Sequence, residues 1–286
     1  MPINDNPTIR QRWLARQLRE LRGAAGLTHA DAAKALGSAE SKIGRIENAQ
    51  SGIRVPDLNA LLDAYGVTDA ELRADLADLA RAAKRKGWWT RYADAVHATY
   101  TAYVAAEWDA SELYNVQTSL VPGLLQTPEY AEAVIRLENP DFPEEAVEAQ
   151  IRVRRERWKV LTRENPLHLW VILTENVLYH RVGGSAVMKG QLEALIETSR
   201  LPNVDLQILP RTDPMSACLY GPFVIMSFPR TVESDIVYAE SPVGAIYYEE
   251  AADVDAYATL FRRLNVAAAN VTKSRALIRE ALKELE

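Results

Sequence analysis

Between positions 40 and 47 the chain reads Glu-Ser-Lys-Ile-Gly-Arg-Ile-Glu. Ile43 and Ile46 fall one helical turn apart and must face a core, which leaves Glu40, Ser41, Lys42, Gly44 and Arg45 facing outward. A planar guanidinium can donate two parallel hydrogen bonds, a carboxylate can accept, and an ammonium is a point charge for anions. Gathered on one face of a short helix, such groups suit recognition of a polar surface. More polar groups lie close by: Thr28 and His29 before this segment, and Asn48 and Arg54 after it.

The rest of the chain offers little catalytic chemistry. Glu175, Asp235 and Glu240 lie on or near expected strands and read as solvated strand-end carboxylates. His168 and His180 flank one expected strand, too far apart for a single-helix metal pair. Gly183-Gly184 precedes a helix without a wider phosphate-loop pattern, so it reads as a turn. Ser185 and Ser227 lack the G-x-S-x-G setting of a nucleophile elbow. Arg152, Arg154, Arg155 and Arg157 read as the solvated face of an amphipathic helix. The single cysteine, Cys218, excludes an intramolecular disulfide and a cysteine-built zinc site. The expectation is a protein that is not an enzyme, with no cofactor and no metal.

The outward-facing set needs a scaffold, and the first eighty residues provide one. Leu14, Leu18 and Leu21 give a helix over 13–24 that stops near Gly26. Thr28 with Asp31 forms a capping-box variant opening a second helix over 29–36, and Gly37 ends it. A third follows over about 39–47, with Ser38 as a candidate N-cap that would start it one residue early. Val55-Pro56-Asp57 opens a fourth, carrying Leu58, Leu61, Leu62 and Tyr65 and stopped by Gly66. A fifth runs from Asp69 into Lys84-Arg85-Lys86.

Residues 88–114 are rich in alanine and aromatics and read as a helix. Beyond them the pattern changes. Val121-Pro122-Gly123 fits a type II turn that tucks Leu124 and Leu125 into a core. Helices are expected over 128–138 and 144–163, then strand 167–173, helix 186–199 and strand 204–209 as a β-α-β unit. Strands follow over 222–228, 235–240 and 245–248. Two helices close the chain, 250–268 and 272–285, the second capped by Thr272 with Ala276, Leu277, Ala281 and Leu282 on its apolar face. The expected fold is multidomain: an all-α domain over 1–80, an aromatic-rich helical linker over 81–106, and a mixed α+β domain over 107–286.

The chain of 286 residues has a net charge of −6, unevenly spread. Residues 1–56 hold nine Lys/Arg against five Asp/Glu, whereas 88–286 hold nineteen against twenty-eight. A basic head on an acidic body suits contact with phosphates through one end only. No apolar run is long enough to span a membrane and the start, Met-Pro-Ile-Asn-Asp-Asn, lacks a secretion-signal pattern. A cytoplasmic, nucleoid-associated protein is expected.

The run from Gly26 to Gly37, followed by Ile43, Ile46 and Glu47, resembles the lambda-repressor-like (XRE) helix-turn-helix family. That resemblance implies that the third helix enters the major groove of double-stranded DNA. Glu40, Ser41 and Arg45 match base-reading positions. Arg45 would address guanine O6 and N7, and Glu40 cytosine N4. Thr28, His29, Lys42, Asn48 and Arg54 would contact the backbone. Arg22 and Glu47 match a structural ion pair. Two departures stand out: Ser38 where the family prefers an aliphatic residue, and no glycine after Glu47-Asn48.

Residues 107–286 resemble the large domain of WhiJ-like actinobacterial regulators, abundant in Streptomyces and often described as antitoxin-like. The likeness rests on Leu120-Val121-Pro122-Gly123-Leu124-Leu125-Gln126-Thr127-Pro128-Glu129-Tyr130, Gly221-Pro222-Phe223, Val237-Tyr238-Ala239-Glu240 and Ser274-Arg275-Ala276-Leu277-Ile278. It implies a regulator, expected to repress, whose second domain receives a signal by binding a small companion protein encoded nearby. A homodimer on a pseudo-palindromic operator follows from symmetry, because one short helix reads few bases. The alternative is a small-molecule sensor or enzyme domain that the N-terminal domain brings to DNA.

Overall fold

The computed structural model describes residues 8–84, 87–92, 98–218, 221–229, 234–241 and 244–285. These form two compact units. One reaches Arg91 and adds Ala98–Ala106 and the segment at 229–234, and the other holds Glu107–Phe228 and the chain from Asp235 onward.

The first unit opens on five helices: α1 (Ile9–Ala24), α2 (His29–Ala35), α3 (Glu40–Glu47), α4 (Val55–Ala64) and α5 (Ala70–Ala82). α1 begins four residues earlier than the leucine spacing suggests, because Thr8 and Gln11 close a reciprocal capping box. Thr28 and Asp31 close another at α2. Ser38 does not cap α3. The N-cap is Ala39, without a side-chain bond, and the Ser38 hydroxyl is buried without a partner among the described residues. α5 stops at Ala82, short of the basic run, of which Arg85 and Lys86 lie outside the described residues. The core is Trp13, Leu18, Ile43, Leu58, Leu61, Leu62, Leu76 and Leu79, each almost fully buried.

Residues 88–114 are not one helix. Trp88–Tyr92 is a 3-10 turn, 93–97 lie outside the described residues, and α6 covers Ala98–Asp109. Glu112–Gln117 is strand β1, the middle of the second unit's sheet. α7 (Pro128–Glu138) and α8 (Glu144–Trp158) lead to β2 (His168–Thr174), and α9 (Ser185–Thr198) leads to β3 (Val204–Leu209). β4 (Phe223–Ser227), β5 (Ile236–Ser241) and β6 (Gly244–Tyr248) follow, then α10 (Ala251–Ala267) and α11 (Val271–Lys283).

The sheet runs β3-β2-β1-β4-β5-β6, with β1, β2 and β3 parallel and β4 to β6 antiparallel. Val116, Ile172, Leu209, Phe223, Ile225 and Val237 pack with Phe261 and Leu264 of α10. The alternate residues Leu113, Leu169, Val171, Leu206 and Ile208 are also buried, so the central strands are covered on both faces.

Three local expectations change. Gly123 sits in a 3-10 turn, Gly123–Leu125, rather than at the positive φ of a type II turn. A Cβ there would meet the Arg157 guanidinium at 2.8 Å, and this close approach is what excludes a side chain. Leu124 and Leu125 are buried. Asn270, not Thr272, caps α11 by accepting from the Lys273 backbone. The buried face of α11 is Ser274, Ile278 and Ala281, with Ala276 exposed, because the Ser274 hydroxyl bonds the Ile208 backbone of β3 at 2.8 Å and fixes the rotation.

Candidate nucleic-acid interface

α2 and α3 are joined by a tight turn that the sequence specifies. Gly37 takes φ +57°, Ser38 N–H bonds Ala33 O, and Gly37 N–H bonds Lys34 O, so the last carbonyls of α2 are satisfied. The same closure ends α1 at Gly26 and α4 at Gly66. At the end of α3 it recurs with Ala49 at φ +57°, where the resembled family would carry glycine. α3 is seated by Ile43 and Ile46, which are 0% and 3% exposed.

On the outer face of α3, Glu40, Ser41 and Arg45 are exposed together. The Arg45 guanidinium has no hydrogen-bond or ion-pair partner among the described residues. Held by a rigid helix with the head group free, it can reach a planar acceptor pair. Arg54 is exposed as well and caps α4 through its backbone only. Thr28 is exposed, but its hydroxyl is engaged with Asp31.

Three of the other candidates have partners inside the domain. Lys42 bonds Asp57 of α4 at 2.9 Å. Asn48 accepts from Arg19 at 3.0 Å. His29 lies 3.1 Å from a Glu47 carboxylate oxygen and 3.2 Å from Arg22. Arg19 is not singled out by its sequence setting. In the structure it reaches from α1 to the end of α3, bonding the Glu47 carbonyl and Asn48, and the one available hint was its place a turn before Arg22.

Arg22 and Glu47 form a bidentate pair at 2.7 and 2.8 Å, and Arg22 also bonds Leu27 O. The Glu47 side chain is 3% exposed. Burial pushes its carboxyl up, but hydrogen bonds and attraction from Arg22 and His29 outweigh this and hold it below the ordinary carboxylate range. The Tyr65 phenol is pushed up to about 12, first by burial and then by the Glu47 charge. The Asp31 carboxyl is lowered by its bonds with Thr28.

A depressed folded-state pKa stabilises the domain above the carboxylate's unfolded value, about 4.3, and that stability disappears as pH falls through the folded value. The first unit should therefore weaken progressively below about pH 5. Glu47→Gln should flatten that acid limb relative to the parent in thermal unfolding scans between pH 3 and pH 7. An identical acid limb would show that Glu47 does not set it.

In the second unit, the loops after β1, β2 and β3 surround a polar crevice of about 360 Å³, lined by Thr118, Thr174, Glu175, Asn176 and Arg211 among others. The buried Glu175 carboxylate accepts from the Arg211 backbone at 2.8 Å. A second, more apolar groove of about 470 Å³ lies among α7, α8 and α9, lined by Leu124, Leu125, Ala131 and Ile151 with Trp158 at its rim. Gln126 and Thr127 border it, but both make internal bonds, to Val121 and Arg154 and to Gln191.

The arginine run of α8 is not uniformly solvated. Arg157 is buried against Glu107 at 2.7 and 2.8 Å, whereas Arg152 pairs with Glu148 at the surface. His168 bonds Asp205 and His180 bonds Ser119 O. Among the described residues no three His, Cys, Asp or Glu side chains gather as a metal would require, and no helix is long and apolar enough to cross a membrane.

An all-helical unit with this turn, followed by a mixed sheet-and-helix unit, defines a helix-turn-helix protein with a second domain. Residues 13–76 match a family model described as a helix-turn-helix domain, which implies a DNA-binding regulator. Residues 100–280, well over half of the chain, match the domain of unknown function DUF5753, and the chain belongs to that family. No curated protein and no solved structure matches it.

Proposed function

We propose that the chain is a sequence-specific transcriptional repressor that binds a pseudo-palindromic operator in double-stranded DNA as a homodimer. Glu40, Ser41 and Arg45 read bases, and Thr28, His29, Lys42, Asn48 and Arg54 approach the backbone. The observation that carries this reading is the exposed Arg45 guanidinium, without a partner among the described residues, beside Glu40 and Ser41 on the helix that follows the turn. Lys42 and His29 reach phosphate by exchanging Asp57 and Glu47 for it.

Arg45→Ala is expected to lower affinity for a duplex enriched from a random library by the parent protein. The loss should be about 1–3 kcal/mol, or roughly fivefold to over a hundredfold. Binding to unselected DNA should change little, and parent affinity should fall steeply with salt. Parent-like selectivity in the variant would remove α3 from the reading role.

In this reading the second domain does no catalysis. It receives a signal as in the WhiJ-like regulators it resembles, by binding a small companion protein in the cytoplasm. The apolar groove beside Leu124 and Leu125, with Trp158 42% exposed at its rim, supports a protein partner. The polar crevice supports a second reading, a small-molecule sensor, because parallel strands present ligands at their carboxyl ends. Native mass spectrometry separates the two: a bound metabolite favours the sensor, and a stoichiometric companion protein that alters DNA affinity favours the first reading.

A further inference from the structure

Gly44 stands in the interior of α3, where glycine is the least favourable residue after proline. Gly26, Gly37 and Gly66 have a reason in the fold, since each takes positive φ, and helical Gly23, also in open space, stands in the last turn of α1 rather than in its interior. Gly44 takes no positive φ. Nothing lies within 4 Å of a Cβ built there, so no neighbouring side chain or backbone demands its absence.

Its position on the helix supplies a reason. Gly44 follows Glu40 by four residues and Ser41 by three, which puts all three on one face of α3, and Ile43 and Ile46 seat the other side on the core. Ser41 and Gly44 thus form a low strip between the longer side chains of Glu40 and Arg45. A helix with such a strip can bring its main chain against a surface while flanking side chains reach past it.

We infer that α3 enters the DNA groove so deeply that its backbone at Gly44 lies in van der Waals contact with base-pair edges. Gly44 is then a specificity-determining position from which a side chain is excluded. The inference rests on the reading of α3 as the recognition helix, and it adds that the helix sits too close to DNA for even a methyl group at this point.

The test uses the full chain and a duplex enriched by the parent from a random double-stranded library. Gly44→Ala should raise the melting temperature of the N-terminal unit by roughly 4 °C, as replacing an interior helix glycine does. The same variant should bind the enriched duplex at least about tenfold more weakly, ~1.4 kcal/mol. Gly190→Ala is the control. It makes the same change inside α9, where a Cβ also meets nothing, and should leave DNA affinity unchanged.

Gly44→Ala binding as tightly as the parent, or more tightly, would overturn the inference. A lower melting temperature for that variant would show that the fold itself requires the glycine, and would overturn it too. If the parent enriches no duplex, or Arg45→Ala binds like the parent, the recognition-helix reading fails and this inference goes with it. Weak binding by Gly44→Ala beside selective binding by the parent and by Gly190→Ala would support both.

Discussion

Glu107→Ala should destabilise the second domain by about 3–5 kcal/mol, a large fraction of what a domain of this size possesses. The side chains of Glu107 and Arg157 are 2% and 5% exposed and meet in a bidentate pair, so truncating the carboxylate leaves a guanidinium buried with its main counter-charge gone. Water has little access to repair that, because the Arg157 side chain is buried. Replacing both partners, as in Glu107→Leu with Arg157→Met, should recover much of the loss, since no charge then remains to be desolvated. Urea denaturation of the full chain, with hydrogen exchange read on peptides of α8, measures both variants. A loss below about 1 kcal/mol for Glu107→Ala would mean the pair is solvated and behaves as a surface bridge.

Arg22→Ala should cost the N-terminal unit about 3 kcal/mol by the same logic, because Glu47 would remain buried and ionised. Thermal melting of the variant beside the parent checks this. A cost below about 1 kcal/mol would mean that the pair behaves as a solvated surface bridge. Operator affinity measured where the variant is still folded should fall much less than for Arg45→Ala, since Arg22 is committed to Glu47 and Leu27.

The Arg22–Glu47–His29 cluster shows how far residue types carry a site. Opposite charges at the ends of α1 and α3 were visible in the sequence, as was the small, glycine-bounded turn at Gly37. His29 and Lys42 look on charge alone like free DNA contacts. Their engagement with Glu47 and Asp57 depends on how α2, α3 and α4 cross, which no local pattern encodes.

The helices of the head follow from local sequence, because caps, glycine stops and 3.6-residue spacing act within a few residues. Thr28 with Asp31, Gly26, Gly37 and Gly66 place α2, α3 and their neighbours without reference to distant chain. The outward set Glu40, Ser41 and Arg45 follows locally too, through the burial of Ile43 and Ile46. Strand β1 depends instead on its neighbours in the sheet. Glu-Leu-Tyr-Asn-Val-Gln follows an alanine-rich helix with weak alternation, and becomes the sheet's centre because β2 and β4 pair along its two edges. Arg157 was likewise decided at long range. It has the same side chain as Arg152, five residues earlier in α8, yet one is buried and the other solvated, because only Arg157 meets Glu107. Hydrogen-bond pairing between strands and desolvation of a charge both depend on partners far along the chain, and folding alone brings them together.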